Sequence, residues 1–253
     1  MEGYWVALLG AACRSRKSRS DAHVSEPMPT SLPPLELARM IDHTLLRADA
    51  TQAEIAALCG EAREHGFAAV CVNPVYVRLV AEALSGSQVK TCSVVGFPLG
   101  ATTTADKAAE TANAVHNGAT EIDMVVALGA LREGRLDAVR ADILAVRQSC
   151  PDGVLKVIIE ACLLGDDEKK RACELSAEAR ADFVKTSTGF STGGATVEDV
   201  RLMRAVVGDA LGVKASGGVR TLAAAQAMVA AGASRLGTSS GVALLAQSRQ
   251  ERT

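Results

Sequence analysis

The segment Phe183-Val-Lys185-Thr-Ser-Thr-Gly189 places one lysine inside an apolar run that ends in a Ser/Thr/Gly turn. Burying an ammonium is costly unless it is paired or loses its proton. A lysine that loses its proton is a nucleophile able to form a Schiff base with a carbonyl compound. Taken alone, the segment fits equally well a stem lying on apolar surface with its head in solvent. Other charges interrupt apolar runs in the same way: Asp123 in Glu121-Ile-Asp-Met-Val-Val, Lys156 and Glu160 in Leu155-Lys-Val-Ile-Ile-Glu, and Lys214 in Val213-Lys-Ala-Ser216. For Asp123 the plain expectation is a structural salt bridge. Residues four apart on a strand share a face, so Lys156 and Glu160 point the same way, and a mutual or cross-strand ion pair is expected for Lys156.

Converging such groups requires a scaffold, and the chain supplies a repeating one. From Leu35 onward short apolar runs alternate with Ala-rich helical segments. Strands are expected at Ile41–Leu46, Ala69–Asn73, Thr91–Phe97, Ile122–Leu128, Leu155–Ala161, Phe183–Ser187, Gly212–Ser216 and Arg235–Thr238. Helix starts are marked by Thr51-x-x-Glu54 and Thr196-x-x-Asp199, and helix ends by His65-Gly66 and His116-Asn117-Gly118. Eight βα units specify a single-domain (β/α)8 barrel of the TIM type, over residues 35–253. The rival, a doubly wound open sheet, needs a glycine-rich turn after its first strand, where this chain has Arg47-Ala-Asp-Ala-Thr51. Residues 1–34, with a basic run at 14–19 and a Ser/Pro-rich stretch, read as a disordered N-terminal extension, either a tail or a mis-set start ahead of Met28.

Composition agrees with a barrel. Hydrophobic residues make up 48% of the 253 residues and aromatic residues only 3%, so Ala, Val, Leu and Ile must build the core. A net charge of -2 argues against a nucleic-acid partner or a membrane surface. Seven cysteines without a C-x-x-C pair, an odd count, indicate a reducing, cytoplasmic setting. Four scattered histidines form no metal motif, so no metal and no cofactor is expected.

In a barrel the carboxyl ends of the strands carry function, and interior side chains come in layers from alternate strands. Asp123 and Lys185 can share a layer, with Lys214 in the next. Adjacent strands then bring Lys185 and Lys214 within reach of each other, and the repulsion is relieved if one lysine's pKa is depressed. The last two loops, Ser216-Gly217-Gly218-Val-Arg220 and Gly237-Thr-Ser-Ser240-Gly241, offer backbone amides and a helix start to an anion, where this fold usually binds phosphate.

Seven motifs in order, Ile41-Asp-His-Thr-Leu45, Ala69-Val-Cys-Val-Asn-Pro74, Val95-Gly-Phe-Pro-Leu-Gly100, Glu121-Ile-Asp-Met-Val125, Leu155-Lys-Val-Ile-Ile-Glu160, Phe183 to Phe190 and Val213 to Arg220, carry a further signal. From about Leu35 to Ala246 the chain resembles the deoxyribose-phosphate aldolases, a family of class I aldolases. The resemblance implies Lys185 as Schiff-base lysine, Asp123 as acid/base and Lys214 as second catalytic lysine. It implies phosphate contacts at Gly189, Gly217, Gly218, Gly237, Ser239 and Ser240, substrate contacts at Thr188 and Cys71, and supporting roles for Asp42 and Thr44. The implied reaction is reversible cleavage of 2-deoxy-D-ribose 5-phosphate to D-glyceraldehyde 3-phosphate and acetaldehyde, without metal. Some family members end in a tyrosine that assists proton transfer; this chain has only Tyr4 and Tyr76, so water is expected in that role. A class I aldolase for another phosphorylated sugar and a noncatalytic sugar-phosphate-binding barrel stay open as alternatives. A homodimer or homotetramer also stays open, because exposed helix faces are not legible in a sequence.

Overall fold

The computed structural model describes residues 32–251. The expected extension lies outside the described residues up to position 31, and Pro34 already opens a helix. Eight parallel strands close on themselves in chain order: β1 (Ile41–Leu45), β2 (Ala69–Val72), β3 (Lys90–Val95), β4 (Glu121–Val125), β5 (Val154–Ile158), β6 (Phe183–Lys185), β7 (Gly212–Ser216) and β8 (Arg235–Thr238). The expected barrel is therefore present, and each expected strand is found, most of them ending a residue or more earlier than expected. The trimmed residues, such as Thr186, Ser187 and Glu160, belong to the loops at the carboxyl ends.

Ten helices are found among the described residues: α1 (Pro34–Ala38), α2 (Gln52–His65), α3 (Val77–Ala83), α4 (Thr104–His116), α5 (Leu128–Arg132), α6 (Leu136–Ser149), α7 (Asp166–Glu178), α8 (Val197–Val207), α9 (Leu222–Ala230) and α10 (Gly241–Gln250). Local chemistry explains their limits. At α2 the Thr51 hydroxyl accepts from the Glu54 amide while the Glu54 carboxylate accepts from the Thr51 amide, and Gly66 ends the helix at φ +66°. Ile55, Leu58, Cys59 and Ala62 then form one buried stripe against the sheet. Thr196 caps α8 by accepting from the Asp199 amide.

Strand alternation divides the apolar from the charged residues. Ile122, Met124, Leu155, Val157, Val184, Val213, Ala215 and Leu236 face outward into the layer between sheet and helices. Their neighbours Glu121, Asp123, Lys156, Lys185 and Lys214 turn inward and are buried. On β2 and β3 the inward side chains are instead Ala69, Cys71, Cys92 and Val94, a small apolar cluster. The interior thus has an apolar half and a charged half. One further buried ion pair lies outside it: Lys107 of α4 bonds Asp142 of α6 at 2.6 Å and the Val125 carbonyl at 2.9 Å, which fixes the end of β4.

Candidate active site

Asp123 is the hub of the charged half. Its Oδ2 accepts from Lys185 Nζ at 2.8 Å and Lys214 Nζ at 2.7 Å, and its Oδ1 accepts from Lys156 Nζ at 2.9 Å and the Cys92 thiol at 3.2 Å. Lys185 and Lys214, expected in adjacent layers, are register partners that reach the same oxygen. Lys156 forms the expected cross-strand pairs, with Asp123 and with Glu121 at 2.5 Å; Glu160 is not among its partners. Closure of β8 on β1 adds a floor: Arg235 pairs with Asp42 at 2.7 Å and Glu121 at 3.2 Å, and Asp42 also pairs with Lys214.

Burial penalises every one of these charges, yet the pairing overrides it. Burial alone would raise Asp123, but Lys156, Lys185 and Lys214 hold its carboxyl well below the usual range. Asp42 is lowered likewise, against burial, by Lys214, Lys156 and Arg235. Burial would lower Lys214, but Asp123 and Asp42 raise it on balance, so Lys214 stays a cation. Lys156 is raised well above the ordinary range in the same way, against burial, chiefly by Asp123. The repulsion anticipated between the two lysines is thus met by the Asp123 carboxylate they share, and Lys214 is raised rather than depressed.

Two donor sets, Cys71-Cys92-Asp123 and Asp42-Cys92-Glu121, are tight enough to suggest a metal. The chemistry of the site does not fit one, because the Lys156 ammonium already contacts Asp123, Glu121 and, at 3.5 Å, Cys92. Cys71 itself lies beneath Asp123 and beside Cys92 and is fully buried, rather than on the cavity wall. The six described cysteines are unpaired, and Cys13 lies outside the described residues. Burial pushes Cys59 up to about 11 and Cys173 up to about 12, as befits inert packing thiols.

Above the hub opens a cavity of about 390 Å³. Lys185 stands on its wall with Thr44, Thr188, Gly189, Gly217, Gly218, Gly237 and Ser239. Gly217 and Gly218 adopt φ +82° and +85°, and a Cβ on Gly194 would collide with the Gly217 carbonyl, so glycine is required where these two loops cross. Ser240, expected with them, is not on this wall: it precedes α10 and gives its amide to the Thr238 hydroxyl. Arg220 lines the cavity with no carboxylate partner among the described residues, whereas Arg47 on the same wall is bound to Asp49 and Glu54. Thr44 donates to the Asp42 carbonyl at 2.8 Å and links the cavity wall to the floor. A separate cavity of about 450 Å³, lined by Phe97, Pro98, Leu99, Asp106 and Glu110, holds neither lysine. Tyr76, one of the two tyrosines, gives its hydroxyl to the Ala50 carbonyl.

Comparison with known proteins agrees with this geometry. Residues 37–247 match the family model described as DeoC/LacD family aldolase. The deoxyribose-phosphate aldolase of Brevibacillus brevis is 61% identical over 211 residues, covering 83% of this chain and 96% of the relative. That of a Geobacillus strain is 60% identical over 210 residues, covering 83% and 94%. The tetrameric deoxyribose-phosphate aldolase of Aeropyrum pernix superposes with a TM-score of 0.81 at 36% identity, covering 87% of this chain and 93% of that one. The family match and these relatives mark the chain as a lyase. The chain belongs to the DeoC/LacD family of aldolases.

Proposed function

We propose that this aldolase reversibly cleaves 2-deoxy-D-ribose 5-phosphate to D-glyceraldehyde 3-phosphate and acetaldehyde through a Schiff base on Lys185. The observation that carries the reading is the position of Lys185, the one member of the charged cluster that reaches the cavity wall while bonded to Asp123. The cluster has four bases (Lys156, Lys185, Lys214, Arg235) and three acids (Asp42, Glu121, Asp123). Lys156 and Lys214 are held as cations by the carboxylates they pair with, whereas Lys185 pairs, among the described residues, with Asp123 alone and faces the cavity, so it is the amine placed to meet a substrate carbonyl.

In this mechanism Lys185 Nζ attacks the C1 aldehyde of the open-chain sugar. Asp123 and Lys214 pass protons to the carbinolamine oxygen, which leaves as water and gives an iminium. Asp123, through water or directly, takes the C3 hydroxyl proton; the C2–C3 bond breaks, its electron pair moves toward the iminium, and D-glyceraldehyde 3-phosphate departs. Protonation of the enamine at C2 and hydrolysis release acetaldehyde and restore the amine. Gly189, Gly217, Gly218, Gly237 and Ser239 bind the phosphate, largely through backbone amides, with Arg220 supplying a counter-charge. Binding the remote phosphate fixes C1 against Lys185. Cys71 acts from beneath Asp123, while Asp42 and Thr44 support the floor and wall.

The unpaired, mostly buried thiols fit a cytoplasmic enzyme, and among the described residues no helix is long and apolar enough to cross a membrane. A homo-oligomer is the expected assembly, given a tetrameric relative. Borohydride reduction in the presence of 2-deoxyribose 5-phosphate should add the mass of a reduced acetaldehyde or sugar adduct to the peptide containing Lys185. Folded protein that binds the sugar phosphate without that adduct would instead be a noncatalytic barrel, and faster cleavage of a different sugar phosphate would reassign the substrate.

A further inference from the structure

We propose that Glu160 fixes the hydrogen-bonding polarity of Thr188, making Thr188 an acceptor for a substrate hydroxyl and removing it from phosphate binding. The proposal rests on the reading of the cavity given above. Glu160 is only 2% exposed, and among the described residues no cation stands within ion-pair distance of it. It follows β5 at φ +52°, a conformation that side-chain-bearing residues seldom adopt, and leads into the short turn Ala161–Leu163. A buried carboxylate with no cation must find N–H or O–H donors. Both of its main donors come from one residue: the Thr188 amide, at 3.2 and 3.4 Å, and the Thr188 hydroxyl, in a very short contact. The Cys162 thiol, at 3.9 Å, is a weak third.

A hydroxyl has one proton and two lone pairs. The Thr188 proton is taken by Glu160, and one lone pair accepts from the Phe190 amide at 3.0 Å. One lone pair remains on a residue that lines the cavity between Lys185 and Gly189. Thr188 can therefore accept a hydrogen bond from the substrate but cannot donate one. Phosphate oxygens, which at neutral pH mainly accept, gain nothing from it, whereas a substrate O–H does. With C1 on Lys185, the C3 hydroxyl giving its proton toward Asp123 and the phosphate among the glycines, the C4 hydroxyl is the donor left to meet Thr188. Glu160 is thus a positioning residue that determines specificity through its neighbour.

The test is steady-state kinetics on Glu160→Gln, Thr188→Val and the double variant, together with inhibition by inorganic phosphate. In Glu160→Gln the new amide donates to Thr188 Oγ1, so the hydroxyl turns and offers its proton to the cavity. KM for 2-deoxyribose 5-phosphate should rise about tenfold or more in each single variant, with kcat changed by less than about threefold and the phosphate inhibition constant unchanged. Adding Glu160→Gln to Thr188→Val should change KM by less than about twofold, because the two act as one unit. Multiplying effects, or phosphate affinity falling in step with KM, would overturn the proposal. Should Glu160→Gln fail to fold by circular dichroism, the wild-type enzyme decides. A 4-deoxy-4-fluoro analogue, which accepts but cannot donate, should bind about tenfold more weakly than the substrate, and equal binding would refute the polarity. Failure of the wild type to cleave 2-deoxyribose 5-phosphate at all would instead count against the substrate assignment.

Discussion

Lys185 and Lys214 donate to the same oxygen, Asp123 Oδ2, from 2.8 and 2.7 Å. Two amines on one carboxylate oxygen divide the labour: Lys214 has a second acid in Asp42, whereas Lys185 has none and opens to the cavity. Replacing Lys185 by alanine should therefore abolish turnover, by about four orders of magnitude or more, since the covalent route is lost. Phosphate binding, measured by calorimetry with inorganic phosphate, should survive within about twofold because the glycine loops are untouched. Equal loss of both would mean that Lys185 is a structural lysine.

Lys214→Met removes the positive partner of two buried carboxylates. Breaking a buried pair from one side costs about 3–5 kcal/mol, so urea midpoints should fall accordingly at pH 7. Activity should drop about 10²-fold or more, because a proton donor is lost as well. A variant as stable as wild type would show that Asp42 and Asp123 do not depend on that charge.

Acid and base limbs of stability follow from these buried pairings. Asp42 and Asp123 are depressed, so their contribution is complete above the unfolded carboxylate value of about 3.9 and is lost as pH falls below it. Lys156 and Lys214 are raised, so theirs is complete below the unfolded lysine value of about 10.4 and is lost as pH rises beyond it. Thermal midpoints should accordingly be flat with respect to these groups from about pH 5 to 9. Asp123→Asn should have a shallower acid limb than wild type; superimposable limbs would remove Asp123 from the account.

Arg220→Gln tests the one cavity-lining guanidinium without a carboxylate partner among the described residues. A charge-assisted contact to phosphate contributes about 1.5–3 kcal/mol, which predicts KM raised about 10- to 100-fold with kcat nearly unchanged. An unphosphorylated substrate such as 2-deoxyribose should show no such penalty. If both substrates suffer alike, Arg220 shapes the loop and does not hold the anion.

Lys185, Asp123 and Lys214 stood out in the sequence because a charge inside an apolar strand is conspicuous whatever the fold. The eight strands were legible for a related reason, since each is a short apolar run between polar loops. Partnerships were harder to see. Arg235 opens a strand, where a charge is unremarkable, and its role depends on barrel closure, which places it against Asp42, 193 positions away. Glu160 read as a strand residue facing Lys156, but the strand ends two residues earlier, and the αL turn swings its carboxylate to Thr188. Cys92 looked like any buried thiol; only the register of β2, β3 and β4 shows it donating to Asp123. Ser240, expected as a phosphate ligand from its Ser/Gly loop, gives its amide to the Thr238 hydroxyl, a local bond that the sequence pattern does not announce.

The short helix α1 lies just ahead of β1 and packs against α10, with Ser248 bonding the Leu32 carbonyl. It therefore meets the barrel at the amino ends of the strands, while the lysines and glycine loops open at the carboxyl ends. The molecule has a back and a front. A fusion partner, affinity handle or surface tether joined directly to Leu32 attaches at the back, on the side of the barrel away from the mouth.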